Sequence, residues 1–428
     1  MRNTVSGSSS AREAVRSTAR GRGTGGRRAA ALAVAVVLTA SAVLSLTTAT
    51  ATATAASGAA ASGVSASDAA PTRSEYGKAR LQRDVDAIRA IGVNGVEARV
   101  IDADGRQLAA TSGVADTRTR RPVPPNGYTR IASTTKTFVA TVVLQLVAEG
   151  ELSLDDTVEK HLPGLLQGNG NDGSKISIRN LLQHTSGISE EGYPNFASVE
   201  DFLKHRYEPY TDEQIVAKAV RHKPYFAPGT EWRYSNTGYV LLSMIVKKVT
   251  GNPWHEEVDT RISKPLGLSR TLWSGYSLGV PNPHAKGYMV IPPHAPIDAT
   301  RYFDGDAAGG LLSSTRDVNT FFRALLDGRL LPAEQLAQMR QTILVDAWQD
   351  LWPGARYGLG LTSRPLSCGG VYWSHGGDIY GYKTRSGVTA DGGRSVVVSM
   401  NTQLGDERAA RQEKAAGDLV DRALCATR

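Results

Sequence analysis

The chain has 428 residues, 41% hydrophobic and 21% charged, enough for one large domain or two lobes with a substantial core. Its formal charge of +8 is concentrated at one end. Residues 1–55 hold seven arginines and one acid, Glu13, a local +6 that leaves +2 for everything after it. A nearly neutral body lacks the basic footprint that phosphate backbones require, so nucleic acid is not an expected partner.

The N-terminal charge ends at Arg27-Arg28. An apolar run from Ala29 to Leu46 follows, then small residues including Ala53-Thr54-Ala55. Basic, apolar, small is the order of an export signal, so residues 1–55 are read as a signal peptide and the product as secreted, on the cell-envelope side. Left uncleaved, the run would act as a membrane anchor, since it approaches spanning length. Arg27-Arg28 leaves both the twin-arginine and the Sec route open. Residues 56–77 are rich in Ala, Ser and Thr without periodicity and read as a flexible lead-in. The folded domain is expected over 78–428.

Apolar residues at helical spacing (Leu81, Val85, Ile88, Ile91) predict a helix from Lys78 that Gly92 ends. Gly95 to Ile101 and Gln107 to Ala115 read as strands about the turn Asp102-Ala103-Asp104-Gly105. The middle of the chain predicts helices over 133–149, 155–162, 177–184, 212–221, 236–250 and 316–327. Strand patterns return at 356–363, 370–375, 380–389 and 393–400, and a final helix spans 406–426. This order describes an α+β fold: an antiparallel sheet flanked by N- and C-terminal helices, with a mostly helical lobe inserted over roughly 133–330. The two cysteines, Cys368 and Cys425, suggest a disulfide in an exported chain, worth about 4 kcal/mol from loop closure, or else two unrelated buried thiols. No Cys/His grouping has metal-ligand spacing.

Three short segments carry chemistry. Ser133 and Lys136, in Ile131-Ala132-Ser133-Thr134-Thr135-Lys136, open a strong helix and share one of its faces. A serine hydroxyl needs a base, and a buried lysine serves when its pKa falls toward neutrality. The bland reading is an N-cap serine and a solvated lysine. About 100 residues later, Tyr234-Ser235-Asn236 puts a phenol and an amide on alternate positions of a short loop. Tyr234 is a candidate to ionise or relay protons, and Asn236 to hold the lysine or a substrate carbonyl. Otherwise the loop is only a turn capped by Asn236. Ser374-His375-Gly376-Gly377-Asp378 then lies inside the returning strands. Its glycines permit close backbone approach, the N–H of Asp378 can join that of Ser133 as an oxyanion hole, and His375 is placed to line the cleft and stabilise charge.

In this order and at these intervals the three segments resemble the serine β-lactamase and penicillin-recognising peptidase superfamily. The resemblance is strongest to secreted actinomycete D-alanyl-D-alanine carboxypeptidase/transpeptidases, in the group that includes class C β-lactamases. It runs over about residues 78–426. His184-Thr185-Ser186-Gly187, Tyr357-Gly358-Leu359-Gly360-Leu361 and Leu366-Ser367-Cys368-Gly369 are among the phrases that carry it. The resemblance implies Ser133, Lys136, Tyr234, Asn236 and His375 as active-site residues, and it supports a Cys368–Cys425 disulfide. It implies acylation of Ser133 by a D-amino-acid amide, ester or β-lactam, with peptidoglycan stem peptides as natural partners and no cofactor.

The third motif departs from the carboxypeptidase pattern. Hydroxyl side chains after the histidine and an arginine before the cysteine hold the substrate carboxylate there. Here Gly376, Gly377 and Asp378 follow the histidine, and Thr362 stands at the arginine position, with Arg364 two residues away. An added acid repels a free carboxylate. A class C-like β-lactamase, a D-aminopeptidase and an esterase therefore stand beside the carboxypeptidase, and a penicillin-binding sensor that never turns over is the reading from another class. His184 is read as structural, a helix end packed beside the site. Gly309-Gly310 is expected to let a loop approach the cleft floor, and Trp232, Tyr380 and Tyr382 are candidates for its mouth.

Overall fold

The computed structural model describes residues 76–426. The expected signal peptide lies outside the described residues, as does the lead-in up to residue 75. Residues 76 and 77, assigned to that lead-in, are already part of the fold. Tyr76 is buried and its hydroxyl donates to Asp84 at 2.5 Å.

Nine strands form the main sheet: β1 (Gly95–Ile101), β2 (Gln107–Gly113), β3 (Ile343–Leu344), β4 (Arg356–Tyr357), β5 (Thr362–Pro365), β6 (Val371–Ser374), β7 (Gly377–Ile379), β8 (Tyr382–Thr389) and β9 (Ser395–Met400). Their spatial order is β3-β4-β5-β6-β8-β9-β1-β2, with β7 paired to β8. All pairings are antiparallel, and β1 sits between β9 and β2 although almost 300 residues separate it from β9. The sheet is thus split in sequence, as expected. The predicted strand 356–363 is two strands, because Gly358 bonds back to Leu361 and Gly360 takes a φ of +71° between them.

Side chains alternate across β9 and build two cores. Val396, Val398 and Met400 pack with Val96, Ala98 and Val100 against α1 (Lys78–Ala90) and the C-terminal helix Arg408–Cys425. Val397 points the other way and joins Val388 and Trp373 in the larger core, shared with α2 (Thr135–Ala148), α3 (Ile178–Gln183), α4 (Asn236–Thr250) and α5 (Thr315–Leu326). Helix α2 is apolar on all sides (Phe138, Val139, Val142, Val143, Leu144, Leu146), which suits a helix buried all round. Gly150, at φ +78°, ends it in the left-handed conformation. The Cys368–Cys425 disulfide ties the loop after β5 to the end of the C-terminal helix. No helix among the described residues is long and apolar enough to cross a membrane.

Candidate active site

Ser133 lies in a single 3-10 turn, Ala132–Thr134, immediately before α2. Within residues 131–140 it alone retains solvent exposure. Ala132 holds a φ of +47°, an uncommon conformation for a residue with a side chain. Helix α2 begins from Thr134 without a side-chain cap, so the N-cap reading of Ser133 does not hold.

Lys136 is fully buried one turn later. Its Nζ lies 3.3 Å from Ser133 Oγ, 2.8 Å from Asn236 Oδ1 and 2.8 Å from the Ala308 carbonyl. Amide and carbonyl oxygens only accept, so two N–H bonds are committed to them. The third position of the nitrogen faces Ser133. When Lys136 is neutral, that position is a lone pair aimed at the serine proton. Burial pushes its pKa down to about 7, against the pull of Asp306, Glu190 and Asp304. Lys136 is therefore able to act as a base near neutral pH.

The second motif completes the cluster. Ser235, not Asn236, caps α4 by accepting from Gly238 N at 3.1 Å, which leaves the Asn236 amide to hold Lys136. The Tyr234 ring lies 4.8 Å from Lys136 Nζ. Burial drives its phenol well above the usual range, and the adjacent Ser133 hydroxyl opposes this only in part. Tyr234 is thus held as a neutral phenol, not the ionised one that the sequence allowed.

Strand β7 brings the third motif against the nucleophile turn. A Cβ on Gly377 would sit 2.0 Å from the Ile131 carbonyl oxygen, so only glycine permits this approach. Thr134 Oγ1 donates to the His375 carbonyl at 3.0 Å and locks the two segments together. The Asp378 carboxylate turns toward Arg385 (2.9 Å) and Lys383 (2.7 Å). Burial alone would raise its pKa, but these cations hold it below the usual carboxylate range. Arg385 also binds Glu413 from the C-terminal helix.

Ser133, Lys136 and Tyr234 thus meet at the seam between sheet and helical lobe, with a hydroxyl, an amine and a phenol grouped around one point. A family model described as Beta-lactamase matches residues 81–420. The chain belongs to the β-lactamase family. Among solved structures, this β-lactamase-family chain is similar to a D-stereospecific amidohydrolase from a Streptomyces species: 40% identity, a TM-score of 0.72, 78% of this chain and 98% of that one covered. It is also similar to a D-amino acid amidase from Ochrobactrum anthropi SV3 (30% identity, TM-score 0.69, 80% and 96% covered). Penicillin-binding protein 4* from Bacillus subtilis is 27% identical over 287 residues, 64% of this chain, and the chain spans 60% of that protein's length.

Several sequence expectations change. His375 is buried and neutral: burial, then Lys136, lower its pKa to about 3, so it does not stabilise charge as a cation. Arg364 lies over the rings of Trp352 and Tyr372, at 5.1 and 5.6 Å. Tyr382 is fully buried, its hydroxyl donating to the Ala285 carbonyl, and does not shape the mouth. Tyr380 packs with Phe196, Phe202 and Tyr302. Trp232 remains half-buried beside Tyr234. A Cβ on Gly309 would make only ordinary contacts, 3.4 Å from Asp304 Oδ1 and 3.8 Å from Ala132, whereas at Gly310 it would lie 2.8 Å from the Asp306 carbonyl oxygen of its own loop.

Sequence reasoning missed the acids beneath the site. Asp306 accepts from Tyr193 (2.7 Å), Tyr210 (3.3 Å) and Ala308 N (2.8 Å). Burial raises the pKa of Asp304 to about 7, opposed by Arg130. Glu190 accepts from Ser235 Oγ and Thr237 N. The available signal was two acids in an apolar stretch, Tyr302-Phe303-Asp304-Gly305-Asp306-Ala307-Ala308, just before the glycine pair.

Proposed function

We propose that the protein is an exported D-stereospecific amidohydrolase, which transfers the acyl part of a D-amino-acid amide to Ser133 and then to water. Lys136 takes the Ser133 proton as Oγ bonds to the amide carbon. The resulting oxyanion is held by the backbone N–H groups of Ser133 and Asp378. Tyr234 passes the proton to the leaving nitrogen as the C–N bond breaks, and ammonia or an amine departs. Water then attacks the ester, its proton returns through Lys136, and Oγ leaves with that proton.

One observation carries the choice of leaving group. The acid of the third motif, Asp378, stands on the strand that abuts the nucleophile turn, and the neighbouring cations Arg385 and Lys383 are engaged by it and by Glu413. Such an edge favours a leaving group without a carboxylate. The amidohydrolase and amidase similarities support the same reading. The second reading is a D-alanyl-D-alanine carboxypeptidase that binds penicillin, favoured by the penicillin-binding homologues.

Ammonia release from D- and L-phenylalanine amide, beside release of D-alanine from a D-alanyl-D-alanine peptide, separates the two. Fast release from the D-amide alone supports the proposal. Fast D-alanine release with an inert D-amide refutes it. Ser133→Ala is expected to lose about 10⁴-fold or more in either case.

A further inference from the structure

His184 and Tyr357 take no part in the steps above, yet both are fully buried against the site. Ser235 N–H donates to His184 Nδ1 at 3.1 Å. That nitrogen therefore carries no proton, and the His184 proton is on Nε2, 2.9 Å from Tyr357 Oη. At the other end, His375 Nδ1 lies 2.7 Å from the Gly376 carbonyl, which only accepts, so Nδ1 carries the His375 proton. His375 Nε2 is then an acceptor, 3.0 Å from Tyr357 Oη. One direction satisfies every member: Ser235 N–H to His184, His184 to Tyr357, Tyr357 to His375, His375 to the Gly376 carbonyl.

We propose that His184 and Tyr357 are positioning residues, whose directed hydrogen-bond chain holds the Tyr234 loop and strand β7 in register around Ser133. The chain begins on the peptide between Tyr234 and Ser235 and ends on the peptide that leads into Gly377. His184 also packs its ring 4.2 Å from that of Tyr234. Its backbone sits at φ +63°, the left-handed end of α3, a conformation uncommon for a side-chain-bearing residue. Both termini of the chain are backbone groups, which neither release nor take up a proton near neutral pH. The chain is therefore a lock and not a proton relay. Charging His184 would put two donors face to face, its Nδ1–H against Ser235 N–H, and charging His375 would remove the acceptor of the Tyr357 proton, in both cases beside the cation of Lys136. Arg385 and Asp378 also face His375, with opposite signs.

The proposal rests on Ser133 acylation but not on the identity of the amide. Nitrogen-15 spectra of the substrate-free, wild-type enzyme should show His184 as the Nε2–H tautomer and His375 as the Nδ1–H tautomer, neither titrating between pH 5 and 8. Tyr357→Phe should lower kcat for D-phenylalanine amide by about 10–100-fold with KM little changed, the scale seen when supporting partners of site residues are removed. His184→Gln, which keeps a donor toward Tyr357, should lose less than His184→Ala. An opposite tautomer, a titrating imidazole, or a folded Tyr357→Phe enzyme with wild-type kcat would overturn the proposal. The spectra decide it even where a variant does not fold. Failure of the D-amide reading shows separately, in wild-type enzyme that is inert toward the amide.

Discussion

Asp306→Asn tests how Lys136 is tuned. Asp306 accepts on every polar contact it makes, which is the pattern of an ionised carboxylate. Its Oδ1 is 2.8 Å from Ala308 N, and the carbonyl of the same residue is 2.8 Å from Lys136 Nζ. One residue's N–Cα–C=O path adds at most about 4 Å, so the two charges lie within about 10 Å. At an effective dielectric of 20, that separation gives about 1.7 kcal/mol, a little over one pKa unit. The sign follows from which form the carboxylate favours. Asp306 stabilises the ammonium, so removing its charge lowers the Lys136 pKa from about 7 and leaves neutral amine available at lower pH. The acidic limb of kcat/KM should therefore move down by about one pH unit. Asparagine preserves shape and one acceptor, so folding should survive. The pH profile of kcat/KM for D-phenylalanine amide measures this. A limb that stays in place or moves up would refute Lys136 as the base tuned by Asp306.

Two further substitutions probe the frame. Gly377→Ala places a methyl 2.0 Å from the Ile131 carbonyl and must push β7 off the nucleophile turn. It should cost about 1–3 kcal/mol in denaturant unfolding and most of the acylation rate, and an active, equally stable variant would count against β7 as the oxyanion strand. Replacing Cys368 and Cys425 together by serine opens a crosslink with a sequence separation of 57. Stability should fall by about 2–4 kcal/mol while kcat stays unchanged, read by urea unfolding and steady-state kinetics.

Legibility in the sequence followed the range of the interactions. Helix α4 begins and ends where its pattern says, because Ser235 caps it and Gly251 closes it at φ +79°. Strand β1 is equally plain, with Val96, Ala98 and Val100 alternating with Glu97 and Arg99 up to the turn at 102–105. Helix Val199–His205 was missed because seven residues carry too little periodicity, although Ser198 supplies an N-cap. The predicted helix 155–162 shrinks to Val158–His161 because Thr157 is the cap that starts it. Ser133, Lys136, Tyr234 and Asn236 were legible because each motif is local. The His184–Tyr357 bond spans 173 residues and the Tyr193–Asp306 bond 113, and no local pattern encodes a partner so distant.

Those distant acids explain why a buried lysine can serve at all. Burial alone would drive the Lys136 pKa lower still and leave a weaker base. Asp306, Glu190 and Asp304 each pull it back up. The same burial raises the pKa of each acid, and Asp304 comes to about 7 itself. Base and counter-charge thus titrate over the same range with opposite sign. As pH rises, an ionising Asp304 strengthens the hold on the Lys136 proton just as that proton begins to leave. The neutral histidines do not compensate, since their nitrogens are committed to the Tyr357 chain. On the proposed mechanism, reactivity near neutrality is set by the balance between Lys136 and the acids of the loop that precedes Gly309-Gly310.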